Sequence, residues 1–180
     1  MRKEGIEEFL VELKDHGQVM DAILSIVHPE LYSVAQRSFE ISKLENPESS
    51  AVFAWPCCFS GMSVICNRLT PKHKDRRTDR FWYDFLTSAG HHKKAALKAA
   101  GIGYSFDYAP GTMVALCAAD IFHEVDLWYG FDRICIANFM RKSVMKARNL
   151  LIPAASTLDQ FTAQMDSEFL VNYSKLLCRN

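Results

Sequence analysis

The sequence lacks the features that would assign it to a membrane, secreted or strongly charged class. No apolar run approaches the roughly 20 residues of a membrane-spanning helix, and residues 1–8 lack the apolar core of a signal peptide. The 21 basic residues balance the 21 acidic ones, so no global field steers the chain to nucleic acid or lipid. There is no internal repeat and no low-complexity segment. These absences favour a soluble globular protein inside the cell.

Cysteine is present, but no CxxC pair occurs. Most of the cysteines lie inside apolar, strand-like runs, which is where buried thiols are common. We therefore predict buried free thiols in a reducing compartment, in preference to disulfides or a zinc site. The six are Cys57, Cys58, Cys66, Cys117, Cys135 and Cys178.

The chain has 180 residues, of which 49% are apolar and 23% are charged. These values are ordinary for one globular domain with a substantial core. Apolar residues at helical spacing predict three N-terminal helices, over 3–15, 18–27 and 31–44. Gly17 is expected to end the first helix and Pro29 to stop the second. His16 and His28 fall at these ends, and we expect them to act as C-terminal caps.

Beyond Pro47 the pattern changes to short runs of β-branched, aromatic and cysteine residues that are separated by turns. Pro110-Gly111 is one such turn. Several short strands at this spacing favour a sandwich or a barrel. The predicted strands cover 51–59, 62–69, 81–88, 103–108, 112–118, 121–125 and 133–140. Two further helices are predicted over 142–149 and 156–177, with Pro153 between them.

One stretch, Asn67–Asp75, carries a pair of metal-ligand residue types. His73 and Asp75 are two residues apart, so on an extended strand both side chains point to the same face. With one more histidine they form a set of two imidazoles and one carboxylate, which suits non-haem Fe(II) enzymes that activate oxygen. The alternative for the motif alone is a solvated Lys/His/Asp loop.

A second group of residues lies in the later strands. His123 is in the alternating run 121–125, and Arg133 follows ten residues later. A buried arginine requires an anion, and its planar fork matches a dicarboxylate. The alternative is a surface salt bridge to Asp126 or Asp132. Arg133 shares its strand face with Cys135, Ala137, Phe139 and Arg141.

Basic residues are concentrated in one segment of this neutral chain. Residues 68–98 contain nine Lys or Arg residues against three Asp residues. This local excess favours a surface that faces nucleic-acid phosphates, and a solvated face is the alternative. The aromatic residues Phe81, Trp82, Tyr83 and Phe85 are expected to pack in the core and at its rim.

The order His-x-Asp, a histidine about 50 residues on, and an arginine ten residues later resembles the 2-oxoglutarate/Fe(II)-dependent dioxygenases. Five segments look like the fungal branch of the TET/J-binding-protein oxygenases, and the resemblance covers about residues 50–149. They are 53–56, 66–75, 82–86, 108–112 and 133–141. The resemblance implies an α+β fold with a double-stranded β-helix, or jelly-roll, core flanked by helices. We expect one domain over 1–180, with N-terminal helices in 1–47, the core in 50–141 and C-terminal helices in 142–180.

The resemblance also assigns roles to residues. It makes His73, Asp75 and His123 the iron ligands and catalytic centre. It makes Arg133 the partner of the distal carboxylate of 2-oxoglutarate, with Arg68 helping to hold this co-substrate. Four residues are expected at the substrate. Phe139 would stack on the base, Arg141 occupies the position at which a relative has a histidine, and Thr78 the position at which that relative has an acid. Asn67 either contacts the base or co-substrate or caps a turn.

The activity implied is oxidation of the methyl group of 5-methylcytosine in DNA to 5-hydroxymethylcytosine and beyond, on a base flipped out of the helix. The alternatives are the same chemistry on N6-methyladenine or a methylated RNA base, and a non-catalytic barrel that binds nucleic acid. The implied cofactor is Fe(II), the co-substrates are 2-oxoglutarate and O₂, and the partner is methylated DNA, with RNA as the alternative. We expect a nuclear monomer that has no membrane partner.

Overall fold

The computed structural model describes residues 3–159 and 162–163. The helices within this part of the chain are α1 (Lys3–Glu12), α2 (Lys14–Val27), α3 (Pro29–Glu45), α4 (Ser50–Phe53) and α5 (Lys142–Ala147). The strands are β1 (Gly61–Cys66), β2 (Thr70–His73), β3 (Asp84–Lys93), β4 (Ala96–Ala99), β5 (Tyr104–Asp107), β6 (Met113–Leu116), β7 (His123–Val125) and β8 (Tyr129–Phe139). None of these helices combines the length and apolar character needed to cross a bilayer.

The strands form two antiparallel four-stranded sheets, in the orders β1-β8-β3-β6 and β2-β7-β4-β5. The pairs nest inside one another along the chain: β1 with β8, β2 with β7, β3 with β6, and β4 with β5. A long hairpin that is rolled into two facing sheets gives this order, which is that of a jelly roll. The predicted fold class is therefore confirmed.

The first sheet has apolar side chains on both of its faces. Phe85 of β3 packs outward against the helices, in a cluster that includes Met20 and Leu24 of α2. Leu86, the next residue, points the other way and packs with Leu97 of β4 between the sheets. This alternation follows from the two-residue period of a strand. It also determines which side chains of β3 and β8 face the interior of the barrel.

Gly17 does not end the first helix. The break lies at Leu13, and Gly17 lies buried within α2. A Cβ atom on Gly17 would overlap the carbonyl group of Pro56, so the glycine permits a close approach between α2 and the segment after α4. The helix tolerates the glycine because packing outweighs its low helix propensity.

Of the two histidines predicted to be C-terminal caps, His28 is the C-cap of α2, where its N–H donates to the Leu24 carbonyl at 2.9 Å, and His16 is not a cap. His16 lies within α2, and its Nε2 is 3.3 Å from Oγ1 of Thr87. His28 follows α2 and precedes α3, and its Nδ1 accepts a hydrogen bond from the backbone N–H of Leu31 at 3.4 Å. Its side chain therefore caps the N-terminus of α3, where backbone donors lack helical partners.

Several predicted strand boundaries require correction. The run 51–59 begins as helix α4, because the Ser49 side chain accepts a hydrogen bond from the N–H of Val52 and caps it. The segment that forms β4 was not predicted, since Ala and Lys favour helices in isolation; pairing with β5 and β7 makes it a strand. The predicted helix 156–177 lies largely outside the described residues.

The cysteines divide by burial. Cys57, Cys58 and Cys135 are buried free thiols, whereas Cys66 is exposed and Cys117 is half-buried. Burial raises the pKa of Cys57 to about 12, which keeps that thiol protonated and unreactive. The prediction of burial is wrong for Cys66, which ends β1 where the strand reaches solvent. Cys178 lies outside the described residues.

Gly17→Ala should destabilise the fold by about 1–3 kcal/mol, although alanine is the better helix former. The reason is the overlap of the new Cβ with Pro56. Gly5→Ala in α1 is the matched control, since no described residue outside the local backbone of α1 has an atom within 4 Å of its Cβ position. Urea unfolding should show Gly5→Ala unchanged or more stable than wild type. Equal effects of the two changes would contradict the packing argument.

Candidate active site

Three potential metal ligands meet where β2 and β7 pair. His73 ends β2 and is directly opposite His123, the first residue of β7. Asp75 lies beyond the end of β2, where its N–H donates to the Ala118 carbonyl at 2.9 Å. The ligand atoms of these three side chains all lie within 4.8 Å of one another. The cluster predicted from sequence is thus assembled, although Asp75 reaches it from the loop after β2 and not from the strand.

Both histidines are oriented by backbone carbonyl groups. His73 Nδ1 lies 2.9 Å from the Pro71 oxygen, and His123 Nδ1 lies 3.1 Å from the Ile121 oxygen. A carbonyl only accepts, so each Nδ1 carries the proton and each Nε2 has a free lone pair. The two Nε2 atoms face Asp75, at 3.4 Å from Oδ1 for His73 and 3.8 Å from Oδ2 for His123. Burial lowers the pKa of His123, which favours the neutral imidazole that a metal needs.

This donor set fits Fe(II). Two imidazole nitrogens and one carboxylate on one side of an ion leave positions on the other side free for exchangeable ligands. The cluster opens into a cavity of about 530 Å³ whose wall includes the inward face of β8. The side chains that β8 contributes are those predicted to share a face: Arg133, Cys135, Ala137, Phe139 and the adjoining Arg141.

Arg133 is buried at one end of this wall, with an exposed fraction of 1%. Its guanidinium lies 5.4 Å from the ring centre of Tyr108 and 5.5 Å from that of Trp128, and its Nη1 donates to the Arg68 carbonyl at 3.4 Å. Its Nε has no hydrogen-bond partner among the described residues. A buried guanidinium with unused donors is costly unless an anion meets it, so this end of the cavity suits a carboxylate.

The salt-bridge alternatives for Arg133 are not found in the structure. Asp126 pairs with Lys98, and Asp132 accepts a hydrogen bond from Nδ2 of Asn67 at 2.8 Å. Within the described part of the chain, no carboxylate forms an ion pair with Arg133. The guanidinium is therefore available to a ligand.

Asn67 holds the backbone of Arg133 and does not line the cavity. It adopts the left-handed conformation, with φ of 52°, which asparagine tolerates better than most residues. Its Oδ1 accepts from the N–H of Arg133 at 2.9 Å, and its own N–H donates to the Arg133 carbonyl at 2.8 Å. These contacts join Asn67 to β8 and not to the turn before Thr70, so they match neither of the two roles considered. A contact of Asn67 with the base or co-substrate stays a prediction. Arg68 does line the cavity.

The other end of the cavity holds Phe139, Arg141 and Thr78. The guanidinium of Arg141 lies 4.4 Å from the ring centre of Phe139. Gly61 of β1 makes room for this ring, because a Cβ atom there would overlap it. Phe139 and Arg141 are half-buried, in contrast to Arg133. The three residues predicted to contact a base thus lie together, at the more open end of the cavity.

Asp84 was missed by the sequence analysis. It lines the same cavity with an exposed fraction of 2%, and its Oδ1 has no hydrogen-bond partner among the described residues. Burial raises the pKa of Asp84 well above its usual value, and the nearby charge of Asp75 acts in the same direction. An acid inside the apolar run 81–86 was the available signal, because such runs rarely bury an unpaired carboxyl.

The basic segment 68–98 lies partly at the cavity. Arg68, Lys74, Arg76 and Arg77 line it, whereas Lys98 is engaged by Asp126. Arg76 and Arg77 are exposed, so they can meet phosphates next to the opening. The aromatic residues of the segment pack as predicted: Trp82 and Phe85 are buried, and Phe81 is at the rim beneath Arg80.

Comparison with known proteins gives one family match and structural likenesses. The Tet_JBP family model, described as the oxygenase domain of the 2OGFeDO superfamily, matches residues 2–142. The match includes the N-terminal helices, which the sequence resemblance did not cover. The structure of NgTET1 in complex with 5mC DNA is similar over 73% of this chain and 56% of that one, with a TM-score of 0.47 and 14% identity. The chain thus spans little more than half of NgTET1. No curated protein matches the chain.

His73→Ala and Asp75→Ala should abolish tight Fe(II) binding, because each removes one of three ligands. Both residues are only partly buried, so the melting temperature of the metal-free protein should change little. Anaerobic calorimetry with Fe(II) gives the measurement, and His91→Ala, at an exposed histidine, is the control. Binding that survives in His73→Ala, or is lost in His91→Ala, would refute this metal site.

Proposed function

Because the chain belongs to the Tet_JBP family of oxygenase domains in the 2OGFeDO superfamily, we propose that it oxidises the methyl group of 5-methylcytosine in DNA. The superfamily uses Fe(II) and 2-oxoglutarate, and the His73, Asp75 and His123 cluster fits that ion. The proposal extends this dioxygenase chemistry to a particular base. The product is 5-hydroxymethylcytosine, with further oxidation on repeated turnover.

The observation that carries the proposal is the inward face of β8. It places Arg133 and Phe139 on one wall of one cavity, six residues apart, which is about 20 Å along a strand. His73 and His123 lie in the facing sheet and Asp75 follows it, and all three line the same cavity. One cavity thus offers an anion site, a metal site and an aromatic platform.

Different residues of the cavity bind 2-oxoglutarate and Fe(II). Arg133 binds the distal carboxylate of 2-oxoglutarate through its unused donors, and the rings of Tyr108 and Trp128 shield this pair from water. Asn67 fixes the strand position from which the arginine extends. His73, Asp75 and His123 hold Fe(II), which supplies the O₂-dependent oxidation when it is bound with 2-oxoglutarate. The carbonyl groups of Pro71 and Ile121 keep both imidazoles oriented for the metal.

The substrate must come to this site as a single nucleotide. A methyl group inside a duplex cannot reach ligands that line the inside of a cavity, so the base has to leave the stack. Phe139 offers a replacement stacking surface, and Arg141 extends over its ring. Arg76 and Arg77 at the opening can contact the flanking phosphates.

The deciding experiment compares methylated bases directly. The protein is incubated with Fe(II), ascorbate and 2-oxoglutarate and with oligonucleotides that carry 5-methylcytosine or N6-methyladenine, as DNA and as RNA. Mass spectrometry of the nucleosides identifies the products. Oxidation of 5-methylcytosine DNA at the highest rate supports the proposal. A higher rate on another methylated base would mean that this base is the substrate of the same site. Succinate formation without any oxidised base would mean that none of the tested bases is the substrate.

Arg133→Met should raise the apparent KM for 2-oxoglutarate at least about 30-fold, because a desolvated charged pair contributes on the order of 2–5 kcal/mol. Succinate formation against 2-oxoglutarate concentration gives the value, and calorimetry should show Fe(II) affinity close to wild type. Arg37→Met, at an exposed position on α3, is the control. An unchanged KM in Arg133→Met would mean that the co-substrate binds elsewhere.

Phe139→Ala should reduce kcat/KM for methylated DNA roughly 10- to 100-fold, because stacking of a base on an aromatic ring contributes about 1–3 kcal/mol. Hydroxymethylcytosine formation on a single-site oligonucleotide gives the measurement. Phe53→Ala, at a half-exposed phenylalanine of α4 away from the cavity, should match wild type. If Phe139→Ala also matches wild type, the base does not stack on this ring.

A further inference from the structure

One buried carboxyl in the cavity lies outside the cluster of potential metal ligands. Asp84 is the first residue of β3, which pairs with β8 in the register Phe85 to Asn138 and Leu86 to Ala137. The next step of this antiparallel register brings Asp84 alongside Phe139. Since Phe85 packs outward and Leu86 inward, the strand period also turns Asp84 inward, toward the cavity that it lines.

The environment of Asp84 is not that of a structural carboxyl. Buried acids are normally paired or fully hydrogen-bonded, because an unpaired buried polar group costs free energy. By distance and angle, Asp84 Oδ1 and Thr78 Oγ1 each lack a hydrogen-bond partner among the described residues. The Thr78 hydroxyl still lies close enough to lower the pKa of Asp84, but a carboxylate can accept more than one hydrogen bond. The positive charge of Arg141 acts on Asp84, but the two do not form an ion pair within the described part of the chain. An acceptor thus remains unused beside the ring of Phe139.

We propose that Asp84 determines base specificity by accepting a hydrogen bond from the exocyclic amino group of the base that stacks on Phe139. The inference rests on the proposed function and adds the group that reads the base. Residues opposite each other on neighbouring strands are close enough to contact one ligand together. A ring stacked on Phe139 therefore presents its edge to Asp84.

The chemistry favours bases that carry an amino group over those that carry a carbonyl group. Cytosine offers an N4 amino donor, whereas thymine has the O4 acceptor at the same position. In its ionised form, which the positive charge of Arg141 favours, the Asp84 carboxylate accepts from the first and repels the second. The Thr78 hydroxyl both donates and accepts, so it contacts either base and does not distinguish them. Because 5-methylcytosine and thymine carry the same methyl group on the same carbon, a difference between them reports on the polar edge of the base, where Asp84 reads the group at position 4.

This pair of bases supplies the test. Two oligonucleotides that differ only in 5-methylcytosine or thymine at one position are compared by kcat/KM, with hydroxymethylated nucleosides measured by mass spectrometry. Wild type should prefer 5-methylcytosine. Asp84→Asn places an amide donor beside O4, so the ratio of the two values should fall roughly 10- to 100-fold, the range of one good base contact. Fluorescence anisotropy with the same oligonucleotides should show the ratio of affinities falling in the same direction.

Two controls separate recognition from folding. Asp107→Asn, at an exposed position of β5, should keep the wild-type ratio. Asp84→Leu should melt at or above the wild-type temperature, because it removes an unpaired buried carboxyl, yet it should also lose the preference. If both Asp84 variants melt lower and turn over both bases with an unchanged ratio, Asp84 is structural and the inference fails.

The outcomes also separate this inference from the proposed function. If wild type oxidises 5-methylcytosine and Asp84→Asn keeps the wild-type ratio, only the role of Asp84 is overturned. If wild type oxidises and binds neither base, the proposed function fails and the inference fails with it. A fall in the ratio with an intact fold supports both.

Discussion

The site depends on the pairing of two very short strands. β2 has four residues and β7 has three, and their register sets His73 opposite His123. Strands of this length do not pair stably in isolation. They are held because β7 also pairs with β4, and because the second sheet packs across Leu86 and Leu97 onto the first. The metal site is thus stabilised by the whole barrel, and no single turn or hairpin would preserve it.

Strand β8 contributes both to the packing of the barrel and to the cavity beside the metal ligands. Its outward side chains lie on the face of the sheet that the N-terminal helices cover. Its inward side chains form one wall of the cavity. Because successive side chains of β8 point to opposite faces of the sheet, one set packs in the protein core and the other set lines the cavity. Arg133 and Phe139 are kept at a fixed spacing because both belong to this strand. The clamp from Asn67 fixes the position of Arg133 further.

Much of this could be predicted from the sequence because the information is local. The alternation along β8 predicted which of its side chains share a face. The spacing of His73 and Asp75 suggested a metal site, and the family resemblance added His123 to the ligands. The strand β4 could not be predicted, because its Ala and Lys residues favour a helix until β5 and β7 enclose them. Gly17 was taken for a helix break because only the packing of Pro56 against α2 gives its real role. Asp84 required the β3–β8 register, since the chain alone does not show which face of β3 meets the cavity.

The burial gradient along β8 has a kinetic consequence. Arg133 is almost fully buried, whereas Phe139 and Arg141 at the other end of the same cavity remain half-buried. A base that occupied the Phe139 end would stand between solvent and the arginine. Under the proposed function, turnover would be ordered: the dicarboxylate would enter before the nucleotide, and its shortened product would depart after the nucleotide.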